Sequence, residues 1–96
     1  VGSGGLIISS KDAGETWNEV KSPTIFGLHS IIAVTKNSLL AVGDKGVIIS
    51  SKNAGKTWNN IKSPTTNLLT SIVAITKNNL LAVGNYGVII SSKNGG

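Results

Sequence analysis

Short runs of aliphatic and β-branched residues recur along the chain, and polar turns separate them. Three such runs follow one another as "HSIIAVT", "NSLLAVG" and "GVIISS", and a fourth, "TWNNIK", alternates large apolar with polar residues. Runs of this length and composition, bounded by Gly, Asn and Asp, are typical of β-strands. The glycines, the prolines and the density of β-branched residues disfavour helices. The pattern therefore predicts four short strands joined by tight turns.

The four runs belong to a unit that repeats every 41 residues. The Val-Gly pairs that begin at Val1, Val42 and Val83 have this spacing, and no gap is needed to lay one unit over the next. A fixed period of this length indicates an array, a solenoid or a propeller. Four strands per unit predict an all-β fold of four-stranded antiparallel β-propeller blades, about two and a third per chain. The predicted single fragment spans residues 1–96 and divides into 1–41, 42–82 and a partial unit, 83–96.

A nine-residue polar segment follows the third strand of each unit. It reads "SSKDAGETW" from Ser9 and "SSKNAGKTW" from Ser50. We expect the side chain of Asp12, or of Asn53 in the second copy, to accept hydrogen bonds from backbone N–H groups two or three residues further on. The glycine can adopt the positive φ that other residues resist. The tryptophan then begins the outer strand, with a large apolar face to bury between neighbouring sheets.

These polar segments carry a family resemblance. "SKDAGETW" matches every fixed position of Ser-x-Asp-x-Gly-x-Thr-Trp and so resembles the Asp-box, the bacterial neuraminidase repeat; "SKNAGKTW" has Asn in place of Asp. With "VGxxGxIISS" in front, the whole unit is similar to blades of the photosystem II assembly and stability factor family and its bacterial relatives. The resemblance covers the entire chain. It implies structural turns away from the ligand face, a protein-binding or assembly role, and an extracytoplasmic or secreted location. The implied structural positions are Ser10, Asp12, Gly14, Thr16, Trp17, Ser51, Asn53, Gly55, Thr57, Trp58, Ser92, Asn94 and Gly96.

Charge and composition narrow the classes of partner. The chain carries a net charge of +5, yet all nine basic residues are lysines, and most recur at equivalent places of the units. Such lysines are typical of solvated turns, whereas a nucleic-acid surface pairs clustered charge with stacking aromatics, so no nucleic acid is expected. No apolar run approaches the ~20 residues that span a bilayer, and no signal peptide is visible in this chain. Without cysteine there is no thiolate metal site, and we expect neither a metal nor a cofactor.

The acidic residues argue against catalysis by this chain. The sialidases that resemble it in their boxes need an arginine cluster, a tyrosine nucleophile with a glutamate partner and an acidic acid/base, and this sequence has no arginine. Paired carboxylates for glycoside hydrolysis have to face one cleft, but no acid is reproduced between the units. We expect a non-enzymatic scaffold; the alternative is a fragment of a sialidase-like glycoside hydrolase whose catalytic residues lie outside this chain. Glu15, Glu19 and Asp44 are replaced in the next unit by Lys56, Asn60 and Asn85.

Specificity is expected where the units differ in their loops, because loops on a rigid scaffold carry binding. Phe26 departs from its counterpart in the loop between blades, and Tyr86 from its counterparts in the turn between the second and third strands. His29, the only imidazole, stands at the start of an inner strand, where a polar residue lining the channel is expected. The candidate binding residues of the loop face are Ile25, Phe26, His29, Asp44 and Tyr86.

Both ends of the sequence fall within a predicted blade. Blades interrupted within a sheet leave unpaired strand edges, which invite pairing with another chain. We therefore expect a protein partner, either a second copy of the chain or the rest of a longer propeller. If each copy advances the ring by two units, the predicted homo-oligomer is a trimer of six blades or a tetramer of eight.

Overall fold

The computed structural model describes residues 1–96 and folds them into nine β-strands in three antiparallel sheets. In each sheet, strands that follow one another in sequence are hydrogen-bonded neighbours. No helix in the structure has the length and apolar character needed to cross a membrane. The strands are β1 (Ile7–Ser9), β2 (Asn18–Val20), β3 (Leu28–Ala33), β4 (Leu39–Gly43), β5 (Ile48–Ser51), β6 (Asn59–Ile61), β7 (Leu69–Ala74), β8 (Leu80–Gly84) and β9 (Ile89–Ser92).

The middle sheet is a complete blade with the order β3-β4-β5-β6. The first sheet, β1-β2, matches the third and fourth strands of that blade in sequence, and the last sheet, β7-β8-β9, matches its first three. This four-stranded antiparallel meander is the propeller blade that the repeat predicts. The all-β fold class is therefore confirmed.

The strands are shorter than the apolar runs that predicted them. The run "NSLLAVG" yields a strand only from Leu39, because the residues before it form a turn in which the Thr35 hydroxyl and carbonyl oxygens both accept from the Ser38 N–H. The run "TWNNIK" yields only Asn59–Ile61. Polar residues at the ends of a run thus satisfy one another in the turn instead of extending the sheet.

A single 3-10 turn precedes the third strand of each unit, and in the second and third units it connects that strand to the second. The turns are Ser3–Gly5, Asp44–Gly46 and Asn85–Gly87. The central residue of each has a left-handed backbone, with φ of 68°, 55° and 61° in chain order. The segment before β1 is therefore a turn and contains no strand residues.

The hydrophobic core lies between the sheets and is divided into two clusters. Successive residues of a strand face opposite sides of the sheet, so in β4 the side chain of Ala41 packs towards the first sheet while Leu40 and Val42 pack towards the third. This is why the middle blade has a continuous aliphatic run where a half-exposed strand would alternate. The first cluster is Ile7, Leu28, Ala41, Ile49 and Trp58, and the second is Leu40, Val42, Leu69, Ile72, Leu80 and Ala82.

The first two 3-10 turns fit closely against the loops that lead to the next blade. Gly46 has φ +75°, and a Cβ placed there would lie 2.1 Å from the backbone oxygen of Thr65. Gly5, its equivalent, would meet the oxygen of Thr24 at the same distance. Only glycine permits this approach, so the last residue of the turn is required by packing between backbones.

Candidate functional site

One end of the blades carries the loops that differ between units. Leu28 pairs with Gly43, so the loop before β3 and the turn after β4 lie at the same end of the sheet. The pairing of Leu69 with Gly84 places the corresponding segments of the third sheet in the same way. We call this end the loop face; it consists of residues 1–6, 21–27, 44–46, 62–68 and 85–87. The polar segments from Ser9 and Ser50 lie at the opposite end.

All five candidate binding residues belong to the loop face or border it. Ile25 and Phe26 are in the loop between the first and second sheets, Asp44 and Tyr86 are in 3-10 turns, and His29 follows the first residue of β3. The topology thus places at one end residues that are separated by up to 61 positions in the sequence.

The side chains of His29 and Asp44 are in contact on the loop face. The His29 Nε2 lies 2.6 Å from the Asp44 Oδ1, and both side chains are partly exposed. The close approach of Gly27 completes the arrangement, because a Cβ there would lie 2.8 Å from the Asp44 Oδ2. A carboxylate that holds one nitrogen of an imidazole fixes the orientation of the ring.

A β-bulge directs the His29 side chain. Leu28 pairs with Gly43 and Ser30 with Val42, which leaves His29 as an extra residue on β3. Bulges re-aim side chains next to functional sites. The third sheet has the same irregularity at Thr70, whose hydroxyl donates to the Val83 carbonyl at 3.3 Å. The contact between His29 and Asp44 was not predicted from the sequence, because it depends on the bulge in β3, which the aliphatic run does not signal.

Tyr86 is the most exposed large side chain of the loop face. It is 95% exposed and has φ +61°. A non-glycine residue with positive φ is uncommon, and such strain is concentrated at functional sites. The equivalent positions are Gly4, with φ +68°, and Lys45, with φ +55°. The backbone therefore accepts glycine here, and the tyrosine is not needed for the turn.

Ile25 and Phe26 border a shallow groove of about 460 Å³ between the first loop and the middle blade. Ile25 is 83% exposed. The Asn60 side-chain amide donates to the Pro23 carbonyl at 2.9 Å, which ties this loop to β6 of the neighbouring blade. The apolar side chains therefore stand on a loop whose base is held in place.

The polar segment at the opposite end is closed by its own hydrogen bonds. Asp12 accepts from the Thr16 backbone N–H at 2.8 Å and from the Thr16 hydroxyl at 2.6 Å. The donors lie four residues on, further than predicted, because the Gly14 N–H donates to the Ser10 hydroxyl and the Glu15 N–H donates to the Asp12 backbone carbonyl. The Ser10 hydroxyl in turn donates to the Asp12 carboxylate at 2.8 Å. These bonds, the Thr16 hydroxyl first and then the Thr16 N–H and the Ser10 hydroxyl, lower the pKa of Asp12 to about 2.

The tryptophan of each segment is oriented by the same turn. The Trp17 Nε1 donates to the Gly14 carbonyl at 3.0 Å, and the Trp58 Nε1 donates to the Gly55 carbonyl at 3.1 Å. Both glycines have the expected positive φ, but so do the alanines before them, which the sequence analysis did not predict. That the residues of these polar segments serve only the structure of the turn stays a prediction.

The acidic side chains of the chain are dispersed. Asp12 and Glu15 lie in the first polar segment, Glu19 lies on β2, and Asp44 lies on the loop face. No group of three or more His, Cys, Asp or Glu side chains is placed to hold a metal ion. The contact between His29 and Asp44 is the one contact between an acidic and a basic side chain in the structure.

Comparison with known proteins agrees with the fold. A family model described as the DUF6242 beta propeller domain matches residues 1–68. A solved structure described as "YCF48 bound to D1 peptide" superposes with a TM-score of 0.83 at 19% sequence identity, covering 100% of this chain and 33% of that chain. No curated protein sequence matches the chain. The resemblance to propellers of the photosystem II assembly factor family is thereby confirmed at the level of the fold.

Proposed function

Because the chain belongs to the DUF6242 β-propeller domain family, we propose that it is a non-enzymatic propeller module that binds an extended protein segment on its loop face. The observation that carries this proposal is the place of the residues that differ between units. Ile25, Phe26, His29 and Tyr86 replace smaller or uncharged counterparts on a scaffold that is otherwise nearly repeated. A fold alone does not define a function, whereas a site on the fold can.

The chemistry of the loop face suits a peptide. Tyr86 and Ile25 offer exposed apolar surface, and aromatic residues are the usual anchors of protein interfaces. The contact between His29 and Asp44 provides an oriented polar group on the same face. This group can form hydrogen bonds with the backbone or a side chain of the partner. The left-handed backbone at Tyr86 belongs to the repeated turn, since Gly4 and Lys45 share it. Because the turn forms without the ring at Gly4, the Tyr86 ring is free to serve binding.

The solved propeller with the same fold supports this class of partner. That protein is described as bound to a D1 peptide. The present chain spans a third of its length, so the partner of this chain is proposed only as a class, an extended protein segment. Repeated blades with a shared backbone and variable loops are suited to this task.

The non-enzymatic part of the proposal rests on the dispersal of the acids. Glycoside hydrolysis needs two carboxyl groups across one cleft, and the polar turn holds Asp12 at the end opposite to Asp44. The alternative, a fragment of a sialidase-like hydrolase with catalytic residues elsewhere, predicts hydrolysis of a fluorogenic sialoside by a longer chain that contains this one. Absence of turnover by that longer chain would remove the alternative.

The experiment that tests the proposal is selection on the folded chain with a phage-displayed library of random linear peptides. We expect enriched peptides whose affinity falls at least about tenfold with Tyr86→Gly, the residue found at position 4, and with His29→Thr, the residue found at position 70. Glu15→Lys is the matched control, because Lys56 occupies the equivalent position at the opposite end. Peptides that bind all three variants equally would refute the proposed face.

We also propose that the chain self-associates through its strand edges. β5 is hydrogen-bonded on both sides, to β4 and to β6, whereas β9, its equivalent, pairs with β8 alone. An unpaired edge next to apolar residues favours the addition of a strand. Molar mass from light scattering tests this, and a trimer or tetramer is the expected species.

A further inference from the structure

An open apolar groove runs between the second and third sheets. It has a volume of about 390 Å³, and its walls include Ile48 and Ile61 of the middle blade and Ala82 and Ile90 of the third sheet. The groove lies along the side of the molecule and reaches the loop face at Lys62 and Pro64, but none of the five candidate binding residues lines it. Its size and its apolar walls are suited to a large side chain.

The chain contains its own example of such a space filled. Between the first and second sheets, Trp58 is only 7% exposed and packs with Ile7, Leu28, Ala41 and Ile49. The residues one unit further along are Ile48, Leu69, Ala82 and Ile90. Three of these line the groove, and Leu69 belongs to the same core cluster. The groove is therefore shaped for the tryptophan that begins a fourth strand.

The chain also carries an exposed tryptophan of this kind. Trp17, which precedes β2, is 56% exposed, and Ile8 on the adjoining β1 is also exposed. The hairpin of β1 and β2 has the pairing of the complete blade: Ile7 opposes Val20 as Ile48 opposes Ile61. The Trp17 ring is already oriented by its hydrogen bond to Gly14. The hairpin thus presents a preformed copy of the element that Trp58 provides within its own blade.

We propose that the groove binds the β1–β2 hairpin of a second copy of this chain. In the complex, β1 of the second copy takes the place of β9 beside β8, so that Ile8 of the second copy replaces its equivalent Ile90 in the wall of the groove. The second copy's β2 then becomes the fourth strand, and its Trp17 enters the groove. The exchange of third strands is nearly neutral, because Ile7–Ser10 and Ile89–Ser92 both read Ile-Ile-Ser-Ser. Relative to the separate chains, the complex therefore gains a fourth strand in the blade and the burial of Trp17.

The contact is heterologous, since one copy gives a hairpin and the other gives a groove. Heterologous contacts produce rings when the rotation closes, and a propeller is a closed ring of blades. This inference goes beyond peptide binding on the loop face, and it supplies the proposed self-association with defined residues. The two proposals fail separately, because none of the five candidate binding residues of the loop face lines the groove.

Light scattering over a concentration series of the 96-residue chain tests the contact. We expect Trp17→Ala to weaken association by about 30-fold or more, as for the loss of a buried aromatic anchor. Glu15→Lys is the matched control: Glu15 lies on the same turn as Trp17, and the equivalent Lys56 is exposed in the complete blade although Trp58 is buried there. Its association should equal that of the wild type.

A lengthened chain provides a second, independent variant. Adding the sequence of residues 56–62 after Gly96 continues the repeat in register and supplies a tryptophan and a fourth strand within the same chain. We expect this variant to remain a monomer at concentrations where the wild type associates. Association of the lengthened chain as strong as that of the wild type would overturn the proposal.

Fluorescence shows whether the ring itself enters the groove. In a Trp58→Phe background, Trp17 is the sole tryptophan, and its emission should shift to shorter wavelength as the protein concentration rises. A wild-type chain that stays monomeric, an association that Trp17→Ala leaves unchanged, or an association with no shift in Trp17 emission would each refute the hairpin contact. The last two would leave self-association itself standing through another edge.

Discussion

The two tryptophans occupy equivalent positions of the repeat, and we expect their removal to have unequal costs. Trp58 is 7% exposed and Trp17 is 56% exposed, although each ring donates to the carbonyl of the glycine three residues before it. The local turn is therefore the same in both, and only the packing between blades differs. A comparison of the two variants isolates the contribution of that packing.

The magnitude follows from the area of the rings. A tryptophan buries roughly 150–250 Å², and at about 25 cal/mol per Å² a nearly complete burial corresponds to roughly 4–6 kcal/mol. Measured losses for truncation of a buried aromatic are about 3–5 kcal/mol, which we expect for Trp58→Ala. Trp17 buries less than half of its surface, so Trp17→Ala should cost about 2–3 kcal/mol by the same area scale.

The assay is urea unfolding of dilute protein followed by far-ultraviolet circular dichroism, with the free energy extrapolated to water. Because a domain of this size has only about 5–15 kcal/mol of stability, Trp58→Ala could leave little folded protein. Trp58→Phe is then the second variant: it keeps an aromatic ring, loses the hydrogen bond to Gly55, and should cost about 1–2 kcal/mol. Equal losses for Trp17→Ala and Trp58→Ala would refute the assignment of the core to the space between blades.

Two further predictions concern the turns. Hydrogen bonds lower the pKa of Asp12 from 3.8 to about 2, so its contribution to stability is present above the unfolded pKa and is lost as the pH falls through about 2. Asp12→Asn, which copies Asn53, should remove this dependence when the free energy of unfolding is measured as a function of acid pH. An unchanged pH dependence in this variant would contradict the prediction. Gly46→Ala should lower the free energy of unfolding by about 3 kcal/mol or more, because its Cβ would lie 2.1 Å from the Thr65 oxygen. Gly87→Ala, with similar φ but no atom within 4 Å of the added Cβ, should cost about 1 kcal/mol in thermal melts. Similar losses for the two variants would show that the strained φ, and not the close contact, determines the cost.

Much of the architecture could be predicted because the same strand pattern occurs in two full units and in part of a third. The period of 41 residues predicted one blade per unit, and the short polar turns between the strands predicted that neighbouring strands are antiparallel. The ends of strands were less predictable, because Thr35 and Ser38 bond to each other in the turn instead of joining the ladder. The positive φ of Ala13 and Ala54 was also hidden, since alanine carries no signal for that conformation. The division into units at 41 and 82 stays a prediction.

The candidate binding residues were found by comparing units, but their geometry was not. A single sequence shows that His29 and Asp44 depart from Thr70 and Asn85; it does not show that they touch. Their contact depends on a bulge of one residue in β3, and a bulge has no reliable signature in the aliphatic run that contains it. Which of these residues engage a partner stays a proposal.

The bulges at His29 and Thr70 have a consequence for how such a protein changes over time. Each bulge residue is surplus to the pairing between the first and second strands, so its side chain can be exchanged without disturbing the register of the blade. The two units described here already hold different residues at this point, one ionisable and one a hydroxyl. A propeller built from copies of this unit would therefore carry one freely editable position per blade, all at the same end of the ring. After duplication, the blades can diverge at the bulge position one residue at a time, while the residues that set the strands and turns of every blade stay the same.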